Sequence, residues 1–130
     1  MAERAQLQHP LDQPSKGTLR LALEDVEKDV IRKRNRVQTT IASGATSFVV
    51  GSDYMVLTGA AAVTIATVVG GREGQILTIE FADSNITMTD DSTGAADTLN
   101  LAASFVGSAN DVVQLLYNGT SWKEVSRSAN

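Results

Sequence analysis

The sequence predicts a mainly β protein, an antiparallel β-sandwich or jelly-roll-like domain preceded by an extended arm and one short helix. Three observations predict it. Residues 111–117 and 121–126 alternate apolar and polar positions on either side of Asn118-Gly119, a pair favoured in tight hairpins because glycine accepts positive φ. Both prolines, Pro10 and Pro14, lie near the start, and Gly, Ser, Thr, Asn and Asp break residues 41–130 into short runs. Such spacing is that of a sandwich or barrel. Finally, apolar residues recur at helical spacing in a single segment, residues 18–37.

Residues 1–17 are polar, rich in glutamine and without helix or strand period. They read as an extended arm, ordered when something holds it. In residues 18–37, Leu19, Leu23, Val26, Val30 and Val37 fall at alternating four- and three-residue steps. That is one narrow stripe of coiled-coil type. Thr18 suits the N-cap, Glu24, Asp25 and Glu27 suit the first half, and Arg32, Lys33, Arg34 and Arg36 suit the end where the macrodipole favours cations. So short a helix is marginal alone and needs either the β domain or copies of itself to pack against.

The β domain is assigned to residues 38–130. Strands are expected over residues 47–50, 54–57, 62–67, 75–81, 86–89, 98–102, 111–117 and 121–126. Leu77, Ile79 and Phe81 alternate with Thr78 and Glu80, which marks a half-buried strand. A two-residue Asn118-Gly119 turn would oppose Tyr117 to Thr120, Leu115 to Trp122 and Val113 to Glu124. It would place Val113, Leu115, Tyr117 and Trp122 on one face. Residues 71–81 with 85–89 echo residues 110–117 with 121–125, suggesting two hairpins of one plan.

Composition narrows the chemistry. The chain of 130 residues is 42% hydrophobic and contains no cysteine, so it can build a core but offers no disulfide, thiolate or cysteine-based metal site. His9, the one histidine, lies in the polar arm and leaves no triad for a folded site. Asp83, Asp90, Asp91 and Asp97 match no EF-hand spacing and are read as Asx-turn formers, so no metal site is assigned. Gly70-Gly71-Arg72-Glu73-Gly74 precedes a strand rather than a helix, which makes it a turn rather than a phosphate loop. Asn85-Ile86-Thr87 and Asn118-Gly119-Thr120 spell glycosylation acceptors but are read as strand and turn chemistry. No catalytic residue and no cofactor is expected, and the protein is not read as an enzyme.

The net charge of −4 hides a split. Through Thr40 there are eight Lys/Arg against six Asp/Glu, and from Ile41 onward three against nine. The Arg32–Arg36 cluster is short and lacks interleaved aromatics in a chain of pI ≈ 4.8, so nucleic acid is not an expected partner. There is no signal-peptide pattern and no apolar run of membrane-spanning length, so no membrane partner is expected and synthesis is placed in the host cytoplasm.

The closing stretch, Asp111-Val-Val-Gln-Leu-Leu-Tyr-Asn-Gly-Thr-Ser-Trp-Lys-Glu-Val-Ser-Arg-Ser-Ala-Asn130, resembles the C-terminal hairpin of many tailed-bacteriophage virion proteins. Gly74-Gln-Ile-Leu-Thr-Ile-Glu-Phe81 with Ile86-Thr-Met-Thr89 is similar to the segment before it. Those proteins include capsid decoration proteins, head fibres and tail-fibre domains. The resemblance covers roughly the last sixty residues and implies a non-enzymatic virion protein with a β-rich outer domain, assembled as a homotrimer.

A chain beginning at Met1 and ending soon after its last strand reads as a small whole protein, which favours a capsid decoration, or cement, protein on the virion exterior. In that expectation Leu19, Leu23, Val26, Val30 and Val37 join the copies. Gln6, His9 and Leu11 of the arm, with Arg32, Lys33, Arg34 and Arg36, contact the major capsid protein and so brace the shell. The alternative is a short tail or head fibre, or a tail-associated adaptor, whose β tip binds the host, with Tyr117 and Trp122 as the first receptor-binding candidates.

Overall fold

The computed structural model of the chain describes residues 35–130. Eleven strands and no helix occur among them: β1 (Arg36–Ile41), β2 (Ser47–Val49), β3 (Tyr54–Gly59), β4 (Val63–Ile65), β5 (Thr67–Val69), β6 (Ile76–Phe81), β7 (Ile86–Met88), β8 (Leu99–Asn100), β9 (Phe105–Val106), β10 (Val112–Tyr117) and β11 (Trp122–Ser128). They form three sheets, in the orders β1-β3-β6-β10-β11-β8, β2-β5 and β4-β7-β9.

The sheets are mixed rather than antiparallel throughout. β1 pairs parallel with β3 and β3 with β6, β2 with β5, and β4 with β7. From β1 to β7 each turn redirects the chain into another sheet instead of reversing it, so that β3 lies parallel beside β1, β5 beside β2, β6 beside β3 and β7 beside β4. This is a solenoid-like winding. Its rungs align like residues inward: Val37 with Met55 and Ile79, Thr39 with Leu57 and Phe81, Phe48 with Val68, and Ile65 with Met88. The stacked rows build one core, in which Met55, Leu57, Ile65, Ile79, Phe81, Ile86 and Met88 are nearly or fully buried.

The first strand corrects the expected helix boundary. Arg36 and Val37 open β1. From Val37 onward the run is rich in β-branched residues, and its six-residue ladder to β3 overrides the helical spacing. The rest of the helix, with Leu19, Leu23, Val26 and Val30, and the whole arm lie outside the described residues. The strand expected over 62–67 divides at Ala66, whose N–H donates to Thr46 O at 2.8 Å. β4 then joins one sheet and β5 another.

At the far end of the large sheet β10 turns back, antiparallel to both β6 and β11. The hairpin exists, but its register is two residues longer than expected: Tyr117 pairs with Trp122 and Leu115 with Glu124. The loop is Asn118 to Ser121. Asn118 Oδ1 accepts from the N–H groups of Thr120 (3.0 Å) and Ser121 (2.9 Å), and only Gly119 has positive φ there, +98°. A type I′ turn needs positive φ at both central residues, and the asparagine side chain selects the wider loop instead. A shift of two preserves the faces, so Val113, Leu115, Tyr117 and Trp122 are buried together. β6 and β7 are in different sheets, so residues 71–89 do not repeat the hairpin plan.

Candidate functional site

The polar residues that suggested chemistry act as structural ties. Asp83 accepts from Asn85 N through Oδ1 (3.0 Å) and from Gly59 N through Oδ2 (3.1 Å), binding one rung to the next. Asp90 Oδ1 accepts from Leu101 N at 2.9 Å and Asp91 Oδ1 from Thr93 N at 2.9 Å. Hydrogen bonds from the Thr93 side chain and backbone hold the Asp91 carboxyl below its ordinary range. Asp111 is buried and accepts from Ser108 N and Asn130 N. Asp97, at φ +64°, accepts the Tyr117 hydroxyl at 3.0 Å. Burial first, then this bond to Asp97, pushes the Tyr117 phenol up. No group of three or more potential metal ligands occurs among the described residues.

The glycine-rich stretch is a turn. Gly70 and Gly74 have φ of +94° and +86°. Between them Gly71 lies so close to the hairpin that a Cβ would stand 2.6 Å from Trp122 Cζ2. A shallow hollow of about 150 Å³ adjoins it, lined by Val50, Gly51, Ser52, Asp53, Gly70, Arg72 and Gln75. Its polar groups bond one another, Gln75 Nε2 to Asp53 Oδ1 at 2.8 Å and Arg72 N to Gln75 Oε1 at 3.0 Å.

Tyr117 and Trp122, the candidate receptor residues, belong to the core. Trp122 has no exposed surface, donates its indole N–H to Val68 O at 2.9 Å, and packs on the Tyr117 ring with centroids 4.8 Å apart. Of the expected capsid contacts only Arg36 is described. It is exposed at the start of β1, level with Tyr54. The Tyr54 hydroxyl donates to Glu80 Oε1 at 2.5 Å, and that bond raises the phenol, with burial and the Glu80 charge adding to it and Arg36 opposing. Gln6, His9, Leu11, Arg32, Lys33 and Arg34 lie outside the described residues.

Two uncharged patches with exposed valines remain on the surface. On the outer face of the β2–β5 sheet, Val49 and Val69 sit side by side, 66% and 42% exposed, with Ser47 and Thr67 on the next rung. On the outer face of β4-β7-β9, Thr64, Thr87 and Val106 form one row, and Val106 is 62% exposed. Neither set contains a charged side chain. Sequence alternation tells which residues point outward but not which outward valines stay uncovered, and β9 was not legible as a strand.

The two edges of the large sheet differ. At one edge the two-residue β8 covers only Trp122 and Lys123 of β11. Beyond it Glu124 receives Arg127 Nε at 2.6 Å and Ala102 N at 2.8 Å, while Arg127 Nη2 donates to Ala103 O and its guanidinium lies 4.8 Å from the Phe105 ring centroid. This clamp seals the loop against the strand, and the bulge near Gln114 and Leu115 twists it further. β1 forms the opposite edge, six residues long, with Arg36 its sole charge. Compared with protein-family models, curated proteins and solved structures, the chain matches none of them.

Proposed function

We propose that this is a non-enzymatic structural protein that works by self-association, as a homotrimeric capsid decoration protein on the outside of a phage head, bound there to the major capsid protein. The observation that carries self-association is the paired exposure of Val49 and Val69 on an uncharged sheet face. The described domain is acidic, with nine Asp/Glu against four Lys/Arg, so copies repel one another wherever charges face. Uncharged faces with protruding valines are where copies can approach and bury apolar area. The phage assignment rests on the resemblance of residues 111–130 to the C-terminal virion hairpin and of residues 74–89 to the segment before it. It gains from a rigid framework whose acids tie backbone to backbone, as suits a particle-bound brace. The sandwich or jelly-roll expectation belongs to this proposal too, although the parallel rows support a solenoid-like stack in its place.

The fibre alternative loses its named receptor residues, since Tyr117 and Trp122 are core. The test is native mass spectrometry and sedimentation of the full chain, alone and as Val49→Lys and Val106→Lys. A mass three times 13.8 kDa, with a dissociation constant raised at least about tenfold by either lysine, supports the reading. A monomer at every concentration contradicts it.

A further inference from the structure

We propose that Asn118 is a site of spontaneous covalent modification, where the Gly119 amide closes on the asparagine side chain and converts it to aspartate and isoaspartate. Three features of the loop converge on this residue. Asn118 and Gly119 are both exposed, and Gly119 has no Cβ to hinder ring closure. The nitrogen that must attack is free, because Gly119 N–H meets no acceptor among the described residues. The oxygen that gains charge is already held: Asn118 Oδ1 accepts from Thr120 N–H at 3.0 Å and Ser121 N–H at 2.9 Å. Two backbone donors on a carbonyl oxygen are the arrangement that stabilises a tetrahedral oxyanion.

The step balances without a co-reactant other than water. Gly119 N bonds to Asn118 Cγ, giving a tetrahedral adduct whose O⁻ lies on the two amides. The Cγ–Nδ2 bond then breaks, and nitrogen leaves as ammonia with the proton that Gly119 N gives up. Water opens the resulting five-membered imide at either carbonyl, yielding aspartate or isoaspartate.

Other asparagines provide internal contrasts. The amide after Asn100 is bonded, Leu101 N to Asp90 Oδ1 at 2.9 Å. So is the amide after Asn110, Asp111 N to Ser108 O at 3.0 Å. Asn85 precedes the buried, β-branched Ile86 and has its Nδ2 held by Gly59 O at 2.8 Å. Among these four asparagines, only Asn118 brings together a free nucleophile and an activated carbonyl. The consequence is local and structural. Isoaspartate lengthens the main chain inside the loop that sets Tyr117 opposite Trp122. Either product also adds a carboxylate near Glu73, whose Oε1 lies 3.3 Å from where a Gly119 Cβ would stand.

The experiment follows the full-length protein at neutral pH and body temperature by peptide mapping, with fragmentation that separates the two acidic products. A parallel sample is held unfolded in guanidinium. Asn118 is expected to convert about tenfold faster than Asn85, Asn100 or Asn110 in the folded protein, and at least as fast folded as unfolded. Slower conversion in the folded protein, or another of these asparagines leading, would overturn the proposal, because the turn would then be a shield.

Discussion

Adding one methyl group at Gly71 sets two physical effects against each other, and the structure decides which wins. Replacing glycine by alanine where φ is permitted stabilises a fold by about 0.4–1 kcal/mol, through the lost freedom of the unfolded chain. Gly71 is not among the positive-φ glycines, so that gain is available. The new Cβ would stand 2.6 Å from Trp122 Cζ2 and 2.8 Å from Tyr117 Cδ1 and Cγ. These are not loose side-chain ends. Trp122 is fully buried, fixed by its bond to Val68 O, and packed against the tilted ring of Tyr117. Overpacking a site of this kind costs about 1–3 kcal/mol, so Gly71→Ala should be a net loss of about 1–2 kcal/mol. For a domain of this size that lowers Tm by roughly 5–15 °C. Thermal and urea unfolding followed by far-ultraviolet circular dichroism, a probe that survives loss of the one tryptophan, reads the shift. A cycle with Trp122→Phe isolates its cause, since shortening the ring should recover about 1 kcal/mol of the penalty and leave the Tyr117 part. An unchanged or raised Tm in Gly71→Ala would refute the packing argument.

Further consequences can be checked on the same protein. Asp83→Ala removes the acceptor for two backbone N–H groups between rungs and should cost about 1–3 kcal/mol in urea unfolding, with Asp83→Asn recovering part of it. Tyr54 titrates above its ordinary value of 10.0 because of its bond to Glu80. The folded state therefore prefers the protonated phenol, so this contribution is full below the unfolded pKa and is lost as pH rises through the folded one. Ultraviolet tyrosinate absorbance should show Glu80→Gln lowering that midpoint. Glu124 lies on the other side of the scale, held low chiefly by its bond to Arg127. Its contribution is present above the unfolded pKa and disappears as pH falls through the folded value, and acid unfolding of Glu124→Gln should lack that component.

How much of this was legible follows from the range of each interaction. Alternation placed β6 and β10 to within a residue, because Leu77, Ile79, Val113 and Leu115 specify buried faces by themselves. Of the four acids expected as Asx-turn formers, Asp83 and Asp91 do bond a backbone N–H two residues on, which is local chemistry. Asp90 and Asp97 instead accept from Leu101 N and the Tyr117 hydroxyl, distant partners that no local pattern announces. Parallel pairing was not legible. Val37 beside Met55 and Phe48 beside Val68 are contacts between distant stretches, and no turn residue announces them. The hairpin register failed for a subtler reason: Asn118 bonding two amides outweighed the usual preference of Asn-Gly for the tightest loop. The exposed valines of the candidate faces were invisible because alternation gives direction, whereas exposure depends on neighbours in other strands.

The most direct test of the central claim is gold labelling of intact particles, with an antibody raised against the β domain beyond Ile41. A decoration protein predicts dense label over the whole head, in copy numbers that scale with the capsid surface. Label confined to the tail or a single vertex, or no label on any particle, would contradict it.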